Sequence, residues 1–177
     1  VTGLASTSSR SAYYESTEAY HNLNKVAENQ AKKEGVNFYR TELSSHATRN
    51  DGARFGYNSI STFSSVSSAA IQDYYDTIGL QTSYNAYSYY GHTPLTASLF
   101  SIKYEYSTGE ASLPSALSLL SSTQYKTGNG TSSSTLNLYE YKNTLPLGFM
   151  INSSTMSNWD TSTGNTFLSL IHISEPT

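Results

Sequence analysis

The chain has 177 residues, a length that fits one domain with a single hydrophobic core. Charged residues make up only 13% and the net charge is -3, so we expect no charge-driven binding to nucleic acids. No cysteine is present, which excludes a disulfide scaffold, a thiol nucleophile and zinc sites that use cysteine. The 32 serines and 16 tyrosines make the chain polar without charge, a composition that is typical of exported domains.

The sequence at both ends of the chain indicates a fragment of a longer protein. Residues 1–11 are rich in Ser and Thr without a core-forming period, and we interpret them as a linker from an upstream region. Residues 168–177 resemble the in-frame translation of an adapter used in sequencing libraries. We therefore expect one domain over residues 12–167, truncated at its end, and we exclude His172 and Glu175 from every site.

The first predicted element is a helix from about Glu18 to Glu34. One face of this helix is apolar and consists of Tyr20, Leu23, Ala27 and Ala31. Gly35 is placed to end the helix in a left-handed conformation. The segment from Val36 to Leu43 alternates in character and contains aromatic and β-branched residues, which predicts a strand.

The middle of the chain is predicted to hold a short helix between irregular segments. Residues 50–52, Asn-Asp-Gly, have turn chemistry, and residues 53–63 are predicted to be extended or irregular. The hydroxyls of residues 64–68 can cap a short helix that stops at Gly79. Its predicted apolar face consists of Ile71, Tyr74, Tyr75 and Ile78. Residues 82–90 are predicted to be a loop or an edge strand.

The second half of the chain predicts more strand than helix. Thr93-Pro94 favours a short helix through Phe100, followed by a strand with Lys103 and Glu105 on its polar face. Pro114 favours another short helix over residues 116–120. Residues 128–130 form a predicted turn before a strand at 135–141, and a last strand is predicted at 147–151.

The fold class follows from the order of these elements. Helices and strands are interspersed without a βαβ repeat, which predicts an α+β fold with short helices packed on a largely antiparallel sheet. We expect the fragment to hold an incomplete domain.

Sequence motifs for catalysis are weak. The histidines outside the last ten residues lack the spacing of metal ligands, so we predict no metal site and expect surface or hydrogen-bonding roles for His21, His46 and His92. The serine-rich segment 64–68 lacks the glycines of a nucleophile elbow. Asp73 and Asp76 are expected on a solvated helix face.

One pair of carboxylates and one group of tyrosines leave functional alternatives open. Asp51 and Glu140 could act as the acid and base of a glycosidase only if the fold brings them within roughly 5 to 9 Å. Four tyrosines, whose rings can stack on sugars, lie close together in sequence: Tyr84, Tyr87, Tyr89 and Tyr90. Packing of the core is the alternative role for these rings.

The order of several short motifs resembles the extracytoplasmic part of the YfhO family of bacterial multi-pass membrane proteins. The resemblance covers residues 12–151. It rests on Phe38-Tyr39-Arg40 with Glu42, Asn50-Asp51 with residues 56–65, Ile78-Gly79, residues 91–94 with 98–104, and residues 138–140 with 143–149.

The resemblance implies a parent protein with a glycosyltransferase-like membrane half. Such a parent would use a lipid-linked sugar donor to modify cell-surface polymers of the teichoic acid type. The catalytic carboxylate would belong to the membrane half, which is absent here, so we assign no catalytic residue and no cofactor to this fragment. The partners that the resemblance implies are that membrane half and a cell-surface glycopolymer or glycan, on the extracytoplasmic face of the membrane.

Three residues are the first candidates for contact with an anionic acceptor or a glycan. Arginine can bind phosphate in a bidentate manner and tyrosine can stack on a sugar, which selects Arg40, Arg54 and Tyr57. The same residues could instead tie loops together in the interior. Two other functions stay open, namely a free-standing secreted carbohydrate-binding or adhesin-type module and a purely structural cap.

Overall fold

The structure is a computed structural model that describes residues 13–127 and 130–154. The predicted linker at 1–11 and the predicted tail at 168–177 lie outside these residues, and so do Gly128 and Asn129. The described elements are, in chain order, α1 (Thr17–Lys33), β1 (Arg40–Leu43), α2 (Asp51–Phe55), β2 (Thr62–Phe63), α3 (Ala69–Thr77), β3 (Thr82–Ser83), β4 (Ala86–Tyr87), α4 (Pro94–Leu99), β5 (Ile102–Ser107), β6 (Leu117–Thr127) and β7 (Ser132–Tyr141).

Two sheets organise the described part of the chain. The larger sheet has the strand order β1-β5-β7-β6, in which only the β1–β5 pair is parallel. The smaller sheet has the order β2-β4-β3 and is antiparallel throughout. The arrangement confirms the predicted α+β class with a largely antiparallel sheet.

Helix α1 covers one face of the larger sheet. Its apolar stripe is buried as predicted, and Tyr20 stacks on Phe55 with 3.8 Å between the ring centroids. The stripe joins a core that includes Tyr106, Leu136 and Leu138. Gly35 follows the helix with a φ of 70°, in the left-handed region that glycine adopts most easily.

Strand β5 is buried on both faces, which the alternating sequence did not predict. All six of its residues are buried because β1 and β7 flank it and both faces of the sheet are covered. Lys103 is matched by Glu34 at 2.7 Å and by Glu140 at 2.8 Å. Buried charges persist in proteins when they are paired in this way.

Several local predictions were wrong. Residues 50–52 begin helix α2 rather than a turn, and β1 starts only at Arg40. The helix predicted at 116–120 is the start of strand β6, because pairing with β7 over ten positions outweighs the helix-opening proline. No strand forms at 147–151.

Other predictions around the smaller sheet were confirmed in part. Helix α3 forms, but Ile71 and Tyr74 on its predicted apolar face are exposed. Residues 82–90 hold the two short strands β3 and β4. Helix α4 begins as predicted at Thr93, whose hydroxyl accepts a hydrogen bond from the Thr96 N–H in a capping box.

Candidate functional site

A polar cleft lies where β1, α2 and the loop before β2 meet. Its volume is about 420 Å³, within the usual range for ligand sites. We call it the Arg40 cleft. Its lining residues are Phe38, Arg40, Asn50, Ala53, Tyr57, Asn58, Ser59, Ser61 and Thr62.

One nitrogen of the Arg40 guanidinium is hydrogen-bonded within the described residues, and the other nitrogens are not. Its Nη1 donates a hydrogen bond of 2.6 Å to the carbonyl oxygen of Phe100, at the end of α4. The guanidinium also lies over the ring of Phe38, 5.0 Å from the centroid. Its other nitrogens make no hydrogen bond within the described residues, so a ligand in the cleft could use them.

Asn50 fixes the edge of the cleft beside β2. Its Oδ1 accepts hydrogen bonds from the Phe63 N–H at 2.9 Å and from the Thr62 hydroxyl at 3.2 Å. Its Nδ2 donates to the carbonyl oxygen of Phe63 at 3.2 Å. These bonds join the start of α2 to the smaller sheet.

The loop before β2 is laid against β1. The N–H of Thr41 donates to the carbonyl oxygen of Asn58 at 2.8 Å. The Asn58 amide donates weakly to the carbonyl oxygen of Tyr39 at 3.4 Å, and the residue remains exposed. An exposed amide at this position can donate to and accept from a bound ligand.

Glu42 lies fully buried beneath the cleft. Its Oε1 accepts from the Ser59 hydroxyl at 2.8 Å and from the N–H groups of Ile60 and Ser61, while Oε2 accepts from the Ser61 hydroxyl at 3.0 Å. Burial raises the pKa of Glu42, and the hydrogen bonds oppose that rise. The carboxyl group thus organises the loop that carries Ser59 and Ser61 into the cleft.

His46 lies buried between two carboxyl groups. Its Nε2 is 3.2 Å from the Ser61 Oγ and 3.8 Å from Glu42 Oε2, and its Nδ1 is 3.8 Å from Asp51 Oδ2. Asp51 accepts hydrogen bonds from Ala47 and from Thr48. Burial acts to raise the pKa of Asp51, but these bonds and the nearby imidazole hold it below its usual value.

The Ser61, His46 and Asp51 side chains do not form a nucleophile triad. The 3.8 Å between Asp51 and the imidazole is too long for a hydrogen bond. The Ser61 hydroxyl lies beside the Glu42 carboxyl and also accepts from the Tyr89 N–H at 2.9 Å. This network supports the cleft rather than attacking a substrate.

Tyr57 contributes the most unusual group in the cleft. Its hydroxyl is buried and has no hydrogen-bond partner among the described residues, although buried tyrosine hydroxyls usually find one. Burial raises the pKa of Tyr57 far above its ordinary value, with further contributions from the charge of Glu42 and other neighbours, so the hydroxyl stays protonated. Because the hydroxyl is closed off from solvent, a ligand in the cleft would meet other atoms of Tyr57.

Arg54 lies outside the Arg40 cleft. Its guanidinium packs over the rings of Tyr13 and Phe55, 3.9 and 4.6 Å from their centroids, and donates to the carbonyl oxygen of Tyr13. The structure therefore places Arg40 and Tyr57 in one cleft. Arg54 lies at a separate position, packed against Tyr13 and Phe55.

A second buried polar cluster surrounds Glu105. Its carboxyl group accepts hydrogen bonds from the Ser112 hydroxyl at 2.5 Å, the Ser112 N–H at 2.9 Å and the Tyr89 hydroxyl at 3.2 Å. Tyr89 also bonds Tyr141 and stacks on His92 with 3.6 Å between ring centroids. Burial lowers the pKa of His92 to about 4, so this imidazole is neutral near pH 7.

The remaining candidates from the sequence are dispersed. Tyr89 is buried and Tyr84 is 90% exposed, so the four neighbouring tyrosines do not present one stacking surface. Asp51 and Glu140 belong to separate networks, the first with His46 and the second with Lys103. Asp73, Asp76 and His21 are exposed.

The sequence motifs do not indicate the buried carboxyl group beneath the cleft. They contain Glu42, Asn58 and Ser59 without assigning a role to any of them. The available signal was the acidic residue inside an apolar strand, which requires a partner if the strand is buried.

The family model described as bacterial membrane protein YfhO matches residues 1–167. No curated protein and no solved structure matches the chain. None of the helices in the described ranges is long and apolar enough to cross a membrane.

Proposed function

This chain belongs to the YfhO family of bacterial membrane proteins, and we propose that it is the extracytoplasmic part that binds and positions the acceptor of a glycosyltransferase-like parent. The parent would take the sugar from a lipid-linked donor and add it to a cell-surface polymer of the teichoic acid type. This fragment contributes recognition and leaves the chemistry to the membrane half of the same protein.

The observation that carries the proposal is the set of unused polar groups in the Arg40 cleft. Arg40, whose guanidinium keeps free nitrogens, and Asn58, whose amide is exposed, line one cavity together with Tyr57. Donors of this kind match the phosphate oxygens and hydroxyl groups of an anionic glycopolymer.

Aromatic rings at the edges of the cleft support the same ligand class. Phe38 lines the cleft and is 36% exposed, and Phe63 follows Thr62 with an exposed fraction of 50%. Exposed rings beside amide and hydroxyl groups can stack on sugar rings while the polar groups bond to their rims.

Hydrogen bonds hold several side chains in and beneath the cleft. Glu42 fixes Ser59 and Ser61, Asn50 fixes Thr62, and Phe100 fixes Arg40. A site whose side chains are already oriented loses less entropy when it binds. The structural cap is the second candidate function, because these same bonds tie α2, β1 and β2 together.

The experiment is a titration of the 177-residue chain with an oligomer of glycerol phosphate, followed by calorimetry. We expect saturable binding that Arg40→Ala weakens at least fivefold while the chain stays folded. Arg49→Ala removes the same charge outside the cleft and serves as the control. Arg54→Ala tests whether Arg54, which the sequence also predicts to contact the acceptor, contributes to binding. Equal affinity of the Arg40→Ala and Arg49→Ala variants would support the structural cap instead.

A further inference from the structure

An apolar groove adjoins the Arg40 cleft. Its volume is about 550 Å³, and it lies between the segment after α1 and the segment after β7. We call it the Leu147 groove. Its lining residues are Gly35, Val36, Asn37, Phe38, Tyr39, Lys103, Lys142, Thr144, Leu145, Pro146, Leu147 and Gly148.

Phe38 forms a wall shared by the groove and the cleft. Residues 36–39 line the groove, Phe38 and Arg40 line the cleft, and the Arg40 guanidinium lies 5.0 Å from the centroid of the Phe38 ring. The polar cleft and the apolar groove therefore share one aromatic side chain.

One of the two lysines of the groove is neutralised by carboxylates. Lys103 is bonded to Glu34 and Glu140, whereas Lys142 donates to the carbonyl oxygen of Ser115 at 3.0 Å. Most of the exposed lining of the groove is apolar, which favours a hydrocarbon chain as its occupant.

The apolar surface extends beyond the groove. Leu147 is 60% exposed, and Met150 and Ile151 continue the uncharged segment with fully and half exposed side chains. Exposed apolar side chains beside a polar cleft suit an amphiphilic ligand, since exposed apolar surface often marks a ligand-binding groove.

We propose that the Arg40 cleft and the Leu147 groove together bind one amphiphilic molecule, with its polar head in the cleft and its hydrocarbon chain in the groove. The inference rests on the proposed function and adds that the acceptor is recognised together with its lipid anchor. The hydrocarbon chain of the ligand would pass beside Phe38 from the cleft into the groove, and the Arg40 guanidinium would contact the polar head.

Two soluble probes distinguish binding of the polar head from binding of the hydrocarbon chains. Glycerophosphoglycerol carries the head alone, and dihexanoyl-phosphatidylglycerol carries the same head with two short chains and is used below its micelle concentration. Calorimetry with the 177-residue chain is expected to give at least tenfold tighter binding of the probe with chains. Leu147→Asp is expected to abolish that gain and to leave the affinity for the head unchanged.

Leu119→Asp introduces the same charge at an exposed position of β6 away from the groove and is expected to change neither affinity. Equal affinities for the two probes would overturn the groove proposal and leave the acceptor site intact. Failure of a folded chain to bind either probe would count against both proposals. A gain from the hydrocarbon chains that appears only after removal of residues 155–177 would assign the groove to that segment of the 177-residue chain and overturn the proposal.

Discussion

The guanidinium of Arg40 donates a hydrogen bond of 2.6 Å to the main-chain oxygen of Phe100, which lies 60 residues later in the chain. The bond joins the first residue of β1 to the end of α4, immediately before β5. Arg40 therefore connects the larger sheet to helix α4, which precedes strand β5 of the same sheet. The same side chain reaches the candidate ligand site, so its structural and binding roles have to be measured separately.

Substitution of Arg40 separates these two roles. We expect Arg40→Ala to lower the free energy of unfolding by about 1.5 to 3 kcal/mol, because the charged hydrogen bond to Phe100 is lost. Arg40→Lys should recover part of this stability but little of the binding, because an ammonium lacks the planar donor geometry. Urea unfolding and calorimetry measure the two effects. Full binding by Arg40→Lys would show that only the charge is needed.

Tyr57→Phe tests what the buried hydroxyl does. The hydroxyl has no partner among the described residues, so its removal should leave stability unchanged or raise it by about 1 kcal/mol. Binding of the glycerol phosphate oligomer should stay unchanged, because the hydroxyl is closed off from a ligand in the cleft. Urea unfolding with and without the oligomer tests both statements. A large loss of stability would mean that the hydroxyl serves the fold.

Glu42 is expected to be essential to the loop beneath the cleft. Glu42→Leu removes the acceptor of several hydrogen bonds and should cost about 3 kcal/mol or more in urea unfolding. Glu42→Gln keeps an acceptor oxygen and should cost clearly less. Glu110→Leu, at an exposed residue, is the control for adding an apolar side chain. Equal stability of the wild-type chain and Glu42→Leu would contradict this role.

His92 is expected to make stability fall in acid. Burial lowers its folded pKa to about 4, whereas the unfolded chain titrates near its ordinary value of 6.5. The unfolded state therefore binds more protons between these values, so the contribution is complete above pH 6.5 and declines towards pH 4. The decline attributable to His92 should reach about 3 kcal/mol. Unfolding curves of wild type and His92→Gln between pH 7 and pH 4 should diverge accordingly, and parallel curves would refute the assignment.

Gly91→Ala is expected to be severely destabilising. A Cβ atom at Gly91 would overlap the carbonyl oxygen of Gly79, and the residue has a φ of 88°. Gly35 has a φ of 70° but open space around it, so Gly35→Ala is the matched control for backbone strain alone. We expect a cost of about 1 to 2 kcal/mol at Gly35 and at least about 1 kcal/mol more at Gly91 from overpacking. Thermal unfolding measures both variants, and equal costs would be the contrary result.

Local periodicity predicted the elements whose partners lie nearby in sequence. Helix α1 was predictable because its apolar stripe and its terminating glycine lie within one segment. The capping box at Thr93 was predictable for the same reason. Strand β6 was not, because its stability comes from pairing with β7 rather than from its own polar sequence.

The candidate site was predictable only in part. The family motifs contain Arg40 and Tyr57, but their convergence on one cavity depends on contacts that sequence spacing does not encode. The sequence predicts that Lys103 and Glu105 lie on a polar strand face. They are buried instead, because the tertiary fold brings their partners Glu34 and Ser112 to them. Arg54 has the same residue type as Arg40 and lies elsewhere.

The most direct test of the acceptor site is an NMR titration of the isotopically labelled 177-residue chain with the glycerol phosphate oligomer. We expect saturable chemical-shift changes of the Arg40 guanidinium and of the Asn58 and Ser59 amides, at one common affinity, with no change at Arg49. Shifts spread over all arginines, or no shift at the cleft at saturating oligomer, would contradict the claim that this cleft recognises the acceptor.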